Sequence, residues 1–301
     1  MHAVDVLLPY YGDVELMKEA VRSVVGQSNP DWRLTVIDDR YPDEEPARWF
    51  ANLADTRVTY LRNETNLGAN ANYRRSLSLA EAPVVVMMGG DDIMLPQYLE
   101  QILNTLGEFP QAAAVQPGVR VIDGAGRLTH SLTDRVKTLT APRSEQPLVL
   151  RGQDMAVSLL HAPWHYFPSI AWRRDVIARI GFRPEFNVVQ DLALLIDIAA
   201  EDGSIVITPE VVFHYRRHKA SDSAVRALDG SRFREERSYF RSQASRFADC
   251  HWDRAAFAAR VHWTSRLNAA TVLLASLAHP RALLTRSRLH SSAALLRHVL
   301  S

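Results

Sequence analysis

Two short apolar runs, Val4 to Pro9 and Leu34 to Ile37, bracket a stretch in which apolar residues recur at helical spacing. Leu16, Ala20 and Val24 lie beside Met17, Val21 and Val25 on that stripe. Strand, helix and strand within about 35 residues make a βαβ unit, which requires parallel strands and a right-handed crossover. The pattern then repeats. Glu44 to Ala54 reads as a modest helix, Arg57 to Leu61 as a strand, Ala69 to Ala80 as a helix and Val84 to Met88 as a strand. Three βα units in succession predict an α/β fold, with a mostly parallel sheet flanked by helices.

The ends of these strands carry acids. Val84 to Met88 is unbroken and rich in valine, as suits a strand buried on both faces. Gly89 and Gly90 end it, and Asp91 and Asp92 follow at its carboxyl end, where an open α/β sheet places its ligands. Adjacent carboxylates repel each other. A divalent cation with oxygen ligands relieves that repulsion and holds a diphosphate; a plain helix N-terminus is the simpler alternative. Asp38 and Asp39 end the second strand, placed to accept hydrogen bonds from a ribose or base, or to form a turn. Between Asn63 and Asn72, four asparagines and Gly68 form a loop before a helix whose N-terminal amides face an anion or a simple cap. No Gly-x-Gly-x-x-Gly and no Gly-Lys-Ser/Thr occurs, which removes the dinucleotide and P-loop classes.

With 301 residues, the chain has room for one large α/β domain and an appendage. A single cysteine, Cys250, excludes a disulfide framework or a cysteine-rich zinc site. Met1 to Val14 reads as a first strand rather than a signal peptide, and no apolar window is long enough to span a membrane. Net charge is +1, but seven arginines and no acid follow Asp253, so residues 254–301 carry +7 and the rest −6. Such a tail suits an anionic surface.

The ordered set of motifs resembles a family 2 glycosyltransferase with the GT-A fold, over the first 220 or so residues. The matching pieces are Val-Leu-Leu-Pro-Tyr-Tyr at 6–11, Ser-Val-Val-Gly-Gln-Ser at 23–28 and Trp-Arg-Leu-Thr-Val-Ile-Asp-Asp at 32–39. Asn66-Leu-Gly68 with Asn72, and Gly89 through Pro96, complete the set. The family often has a further acid two residues before the Asp pair; here that position is Gly89. The resemblance implies a Rossmann-like sheet, a nucleotide-diphosphate sugar as donor and Mn²⁺ or Mg²⁺ as cofactor. It casts Pro9, Tyr11 and Asp39 as the base pocket, with Asn66, Gly68 and Asn72 in the adjoining loop. Asp91 becomes the ribose-side acid and Asp92 the metal ligand. Asp191, at the start of a helix, resembles the family's catalytic base, although aspartate is also a good N-cap. Tyr215-Arg216-Arg217-His218 with Ser221 resembles a Tyr-Arg-x-His segment, so that Arg216, Arg217 or His218 would meet the diphosphate or the metal, with Arg217 taken for the donor and His218 for the metal.

The remaining chain is read from its residues. Ala112 to Gln116 and Val119 to Ile122 predict two strands, and Asp123 to Gly126 a turn. Leu128 to Leu150 is polar and predicts a long loop serving as a lid over the donor. The aromatic segment Ala162 to Pro168 offers Trp164 and His165 to an acceptor, or else packs in the core. Ile205 to Ile207 and Val211 to Tyr215 predict the last two strands; Ser231 to Asp249 is a helix, and Phe257 to Leu300 two helices broken at Pro280. The expected organisation is a glycosyltransferase domain over 1–222, with its nucleotide half at 1–123 and acceptor half at 124–222, and a C-terminal helical extension over 223–301. The expected activity is transfer of a hexosyl or deoxyhexosyl group, with inversion, to a glycan, glycolipid or lipid-linked saccharide. The chain would work in the cytoplasm, with its tail on the inner membrane surface or against a second subunit such as a homodimer partner; nucleic acid is not an expected partner. Two rivals are a non-catalytic nucleotide-sugar binding subunit and a sugar nucleotidyltransferase. The first would need no base such as Asp191. The second would show a basic, Gly-rich loop where Tyr10-Tyr-Gly-Asp13 stands.

Overall fold

The computed structural model describes residues 2–129, 131–217, 231–277 and 295–298. The N-terminal part alternates through β1 (Val4–Tyr10), α1 (Val14–Val25), β2 (Trp32–Asp38), α2 (Glu45–Ala51), β3 (Val58–Arg62), α3 (Ala69–Ser78) and β4 (Val84–Met87). β1 lies parallel between β2 and β4, and β3 flanks β2. Val4, Val6 and Leu8 enter one apolar cluster and Leu7 enters another, because successive side chains of a strand point to opposite faces. Burial on both faces is why these strands are continuous apolar runs rather than alternating ones. Asp13 caps α1 by accepting from the Glu15 and Leu16 amides at 2.9 and 3.0 Å.

The chain continues through β5 (Ile93–Met94), α4 (Tyr98–Glu108), β6 (Ala114–Ile122), α5 (Leu132–Thr140), β7 (Leu148–Arg151) and α6 (Gly152–His161). After these come β8 (Ala171–Arg173), α7 (Arg174–Ile180), α8 (Gln190–Ala200) and β9 (Ser204–Arg216). The nine strands form a single sheet in the order β3-β2-β1-β4-β8-β6-β9-β5, with β7 also on β9. β5, β7 and β8 run against the other six. Helices cover both faces of the sheet.

Three expectations are corrected here. The two strands expected at 112–122 are one strand, β6, and those at 205–215 are one strand, β9. These two pair in parallel, from Ala114 opposite Ile205 to Ile122 opposite Arg216, and β9 gains three residues on β6 around Gly118. A Cβ on Gly118 would lie 2.6 Å from the Pro209 carbonyl oxygen and 2.7 Å from that of Glu210. Only glycine lets the bulged backbone approach so closely. The polar stretch expected as a loop holds α5 and β7. Ser131 and Asp134 form a reciprocal capping box that starts α5, and β7 gains its hydrogen bonds from β9.

The C-terminal part comprises α9 (Ser231–Asp249), α10 (Asp253–Val261) and α11 (Trp263–Leu277). The break after α10 falls at His262, with φ of 26°; Pro280 lies outside the described residues. Tyr239, Phe240 and Phe247 of α9, with Ala255 and Ala259 of α10, share one apolar cluster with Leu159 of α6 and Leu195 of α8. These helices are thus built into the core on one face of the sheet.

Candidate active site

Asp92 is 1% exposed. Its Oδ1 accepts from the Arg216 amide at 2.8 Å, whereas its Oδ2 has no hydrogen-bond partner among the described residues. Burial and the neighbouring charge of Asp91 push its carboxyl well above the ordinary carboxylate range, against the opposing pull of Arg216. Gly89 explains how Oδ2 is accommodated: a Cβ there would collide with that oxygen. No acid fits at position 89 with Asp92 in this conformation. The Arg216 guanidinium is fully used. It donates to the Asp91 carbonyl at 2.7 Å, to those of Asp123 and Gly124 at 3.3 and 3.1 Å, and to Glu19 at 2.6 Å. Its task is to fix the Asp91-Asp92 loop against the end of β9.

Asp39 lies at the end of β2 and is 3% exposed. It accepts from Asn63 Nδ2 and the Leu67 amide, both at 2.7 Å, and from the Gly68 amide at 2.8 Å. A carboxylate has about four acceptor sites, so one remains for a ligand. Asn72 accepts from Asn63 at 3.0 Å and donates to the Ile37 carbonyl at 2.9 Å, while Asn66 accepts from the Gly68 amide at 3.0 Å. Gly68 has φ of 80°, which favours glycine. Asn66, Gly68 and Asn72 therefore shape one loop around Asp39. Pro9 and Tyr11 stand beside it, where β1 ends. Tyr11 is 57% exposed, and its ring meets the edge of Tyr41 with centroids 5.7 Å apart. Asp38 is consumed by the fold: it accepts from the Tyr41 amide at 2.7 Å and from the Tyr60 hydroxyl.

A separate cavity of about 360 Å³ opens at the start of α8. Lys137, His165, Asp191, Arg217, Arg232 and Glu236 supply its charged walls. Asp191 Oδ2 meets His165 Nε2 at 3.1 Å, and its Oδ1 accepts from the Leu192 amide at 2.7 Å. Burial raises the Asp191 carboxyl, but the charge and hydrogen bond of His165, the Leu192 amide and Lys137 outweigh it and hold the group below the ordinary range. Burial lowers the Lys137 ammonium to about 8.

Arg217 donates to Asp134 Oδ1 at 2.6 Å and stands on this second cavity with Asp191. Trp164 is 1% exposed and donates to Ser158 Oγ at 3.0 Å, so it belongs to the core and not to an acceptor surface. His165 does line the cavity. His218 and Ser221 lie outside the described residues. Lys137, Arg232 and Glu236 were missed from the sequence. The Ser131-x-x-Asp134 capping signature would have placed Lys137 on a helix, and the four-residue spacing of Arg232 and Glu236 on α9 matches their 2.7 Å contact.

The two regions meet at the end of β9, where the Arg216 amide binds Asp92 and Arg217 lines the cavity of Asp191. The Tyr73 hydroxyl, on α3, is pushed up first by burial and then by the charges of Asp191, Asp92 and Asp91. A divalent cation fits the first region: the unpartnered, buried Asp92 Oδ2 next to a second carboxylate is a hard-oxygen donor set. Among the described residues no third His, Cys, Asp or Glu joins them.

Comparison with known proteins points the same way. A family model described as Glycosyl transferase family 2 matches residues 5–180. An uncharacterized glycosyltransferase of Methanocaldococcus jannaschii is 28% identical over 217 residues, covering 71% of this chain and 70% of that one. EpsE of Bacillus subtilis is 27% identical over 125 residues, 41% of this chain but 45% of its own length, so the match spans less than half of that relative. The crystal structure of S. aureus TarS in complex with UDP-GlcNAc has a TM-score of 0.69 at 14% identity, covering 99% of this chain and 82% of that one. The mannosyltransferase PcManGT from Pyrobaculum calidifontis, in complex with GDP-Man and Mn²⁺, has a TM-score of 0.63 at 17% identity, covering 99% of this chain and 86% of that one. At those identities the two structures speak for a shared fold.

Proposed function

Because the chain belongs to glycosyl transferase family 2, we propose that it moves a sugar from a nucleotide-diphosphate donor to an acceptor hydroxyl with inversion at the anomeric carbon. The observation that carries this reading is the buried, unpartnered Asp92 Oδ2 beside Asp91, joined through the end of β9 (Arg216 on Asp92, Arg217 on the cavity) to the Asp191 carboxylate. That arrangement supports a donor diphosphate at the first carboxylates and a proton acceptor at the second cavity. TarS and PcManGT are described with UDP-GlcNAc and with GDP-Man and Mn²⁺, which supports a nucleotide-sugar donor here.

Pro9, Tyr11 and the remaining acceptor site of Asp39 receive the base, with Asn66, Gly68 and Asn72 holding that pocket in shape. Asp91 takes the ribose side. Asp92 would hold Mn²⁺ or Mg²⁺, with His218 as a second candidate from the sequence; when bound, the cation would supply positive charge to the departing diphosphate. Asp191 takes the proton of the acceptor hydroxyl as its oxygen bonds to the anomeric carbon, and the electron pair of the broken bond leaves with the diphosphate. Arg217 lies on the acceptor side, which favours contact with the transferring sugar or its acceptor over the nucleotide.

The test combines binding and turnover. Nucleotide-diphosphate sugars with Mn²⁺ should raise the melting temperature of the full chain, since a ligand that binds the native state stabilises it. Asp92→Ala should abolish the cation-dependent part of that rise, and Asp191→Asn should keep it while losing turnover by a factor on the order of 10² to 10⁴. Unaltered Mn²⁺-dependent binding by Asp92→Ala, or full turnover by Asp191→Asn, would refute the respective role.

The acceptor we propose is a saccharide on a lipid carrier, reached at an anionic membrane surface. No helix among the described residues is long and apolar enough to cross a membrane. On α10 and α11, however, Phe257 and Trp263 are 60% and 43% exposed, near Arg254, Arg260 and Arg266. Leu267, 48% exposed, also lines the cavity of Asp191. Arginines at an anionic surface contribute about 1 kcal/mol each, an attraction that salt screens. The chain should therefore co-sediment with anionic liposomes at low salt and not at high salt. Absence of binding at low salt would leave the tail as a cap on the core or a contact between subunits.

A further inference from the structure

His165 was expected to touch the acceptor, yet its ring is 4% exposed and its Nε2 is directed at Asp191 Oδ2, 3.1 Å away. A carboxylate is acceptor-only when ionised, so Nε2 carries the proton in that contact. Nδ1 is buried and has no hydrogen-bond partner among the described residues. In the neutral ring, the bare nitrogen is therefore the one facing away from Asp191.

The segment carrying this ring is pinned on every side. The Trp164 indole is packed in the core and tied to Ser158. Lys137 Nζ donates to the His165 carbonyl at 2.6 Å, and the Tyr166 amide donates to Gln116 Oε1 at 3.0 Å. A backbone held at three successive residues leaves the imidazole little freedom. On the other side, Asp191 Oδ1 is held by the Leu192 amide at 2.7 Å. Each carboxylate oxygen is thus held by one donor and keeps a lone pair towards the cavity.

We propose that His165 is a positioning residue, whose Nε2–H fixes the Asp191 carboxylate in the orientation that receives the acceptor proton. The proposal rests on the reading of Asp191 as the base. An aligned base counts because proton transfer needs the oxygen within hydrogen-bond reach of the reacting hydroxyl, and a second shell that locks the rotamer keeps it there. The same contact keeps Asp191 ionised. Among the described residues, the other charged or titratable groups bearing on the carboxylate are Lys137 from α5, Arg217 and Tyr215 from β9, Arg232, Glu236 and Tyr239 from α9, and Tyr73 from α3. All of them remain when His165 is changed.

The experiment is hydrolysis of the donor by the full chain, with water as acceptor, using the nucleotide-diphosphate sugars and Mn²⁺ of the thermal screen. In His165→Phe, kcat should fall on the order of ten- to a hundredfold, the loss of one hydrogen bond to a charged group, with donor KM unchanged. The acid limb of the pH–rate profile should move to higher pH, because burial still raises Asp191 while its main opposing influence is gone. His165→Gln places an amide N–H close to the position of Nε2 and should recover most of kcat; His165→Asn, one carbon shorter, should not. That pair decides the matter should the phenylalanine variant fail to fold. Wild-type kcat and acid limb in His165→Phe, or equal activity of the Gln and Asn variants, would overturn the proposal. An inactive Asp191→Asn beside an unaffected His165→Phe removes the positioning role alone. An active Asp191→Asn removes the base, and the positioning role with it.

Discussion

At the scale of single residues, Gly89 and Asp92 show how a departure from a familiar pattern is compensated. The position where the family resemblance would place an acid holds a glycine, and the space so released is occupied by Asp92 Oδ2. Gly89→Ala should therefore displace that oxygen. The expected result is at least a tenfold loss of Mn²⁺-dependent donor affinity by calorimetry, about 1.4 kcal/mol, with little change in melting temperature without ligand. Unchanged affinity would mean that Asp92 can turn elsewhere at no cost. The acids at strand ends were legible because carboxylates after an apolar run are conspicuous. What could not be read was their division of labour. Asp38 and Asp39 are neighbours in sequence, but one is spent on Tyr41 and Tyr60 and the other organises the Asn63–Gly68 loop. Nothing in the dipeptide distinguishes them; the difference comes from β3 and the loop after it.

At the scale of elements, most strands and helices of the first hundred residues follow from periodicity, since β1, β2 and β4 are buried along nearly their whole length and α1 has one apolar stripe. The failures share a cause. α5 has few buried apolar residues, so its stripe is faint; polar anchors hold it instead. Asp134, 1% exposed, accepts from Ser131, Tyr166 and Arg217. Lys137 grips the His165 carbonyl from the same helix. α5, in the segment expected to be a lid, is thus a wall of the cavity of Asp191. Asp134→Ala should free the Arg217 guanidinium and unseat that wall. Loss of a buried carboxylate with a charged partner costs about 2 kcal/mol once the part-exposure of Arg217 is allowed for. Melting should fall by about 3 °C. The acceptor KM should rise while donor binding stays as it was; a weakened donor affinity would contradict the assignment of α5 to the acceptor side.

At the scale of the molecule, the loops around Asp39 and Asp92 are built almost wholly from residues before Pro96, and the cavity of Asp191 from residues at and after Val136. The two are joined at the end of β9, where Arg216 locks the Asp92 loop and Arg217 turns to Asp134. Which arginine faces which site depends on how many residues precede it in the strand. Val206 and Phe213, seven residues apart on β9, enter the same apolar cluster, and so do their β6 partners Val115 and Val119, four apart. The three-residue slip has exchanged odd and even positions. The stretch from Ile207 to Val211 therefore behaves like a gear tooth count, in which parity matters more than length. Adding one residue there should turn Phe213 out of its cluster and put Tyr215 in the place of Arg216 at the Asp92 loop, abolishing donor-induced stabilisation. Adding two restores the facing and should be better tolerated in both melting temperature and turnover, although it lengthens the bulge more. If the single insertion proved the milder of the two, this account of how the strand connects its two sites would be wrong.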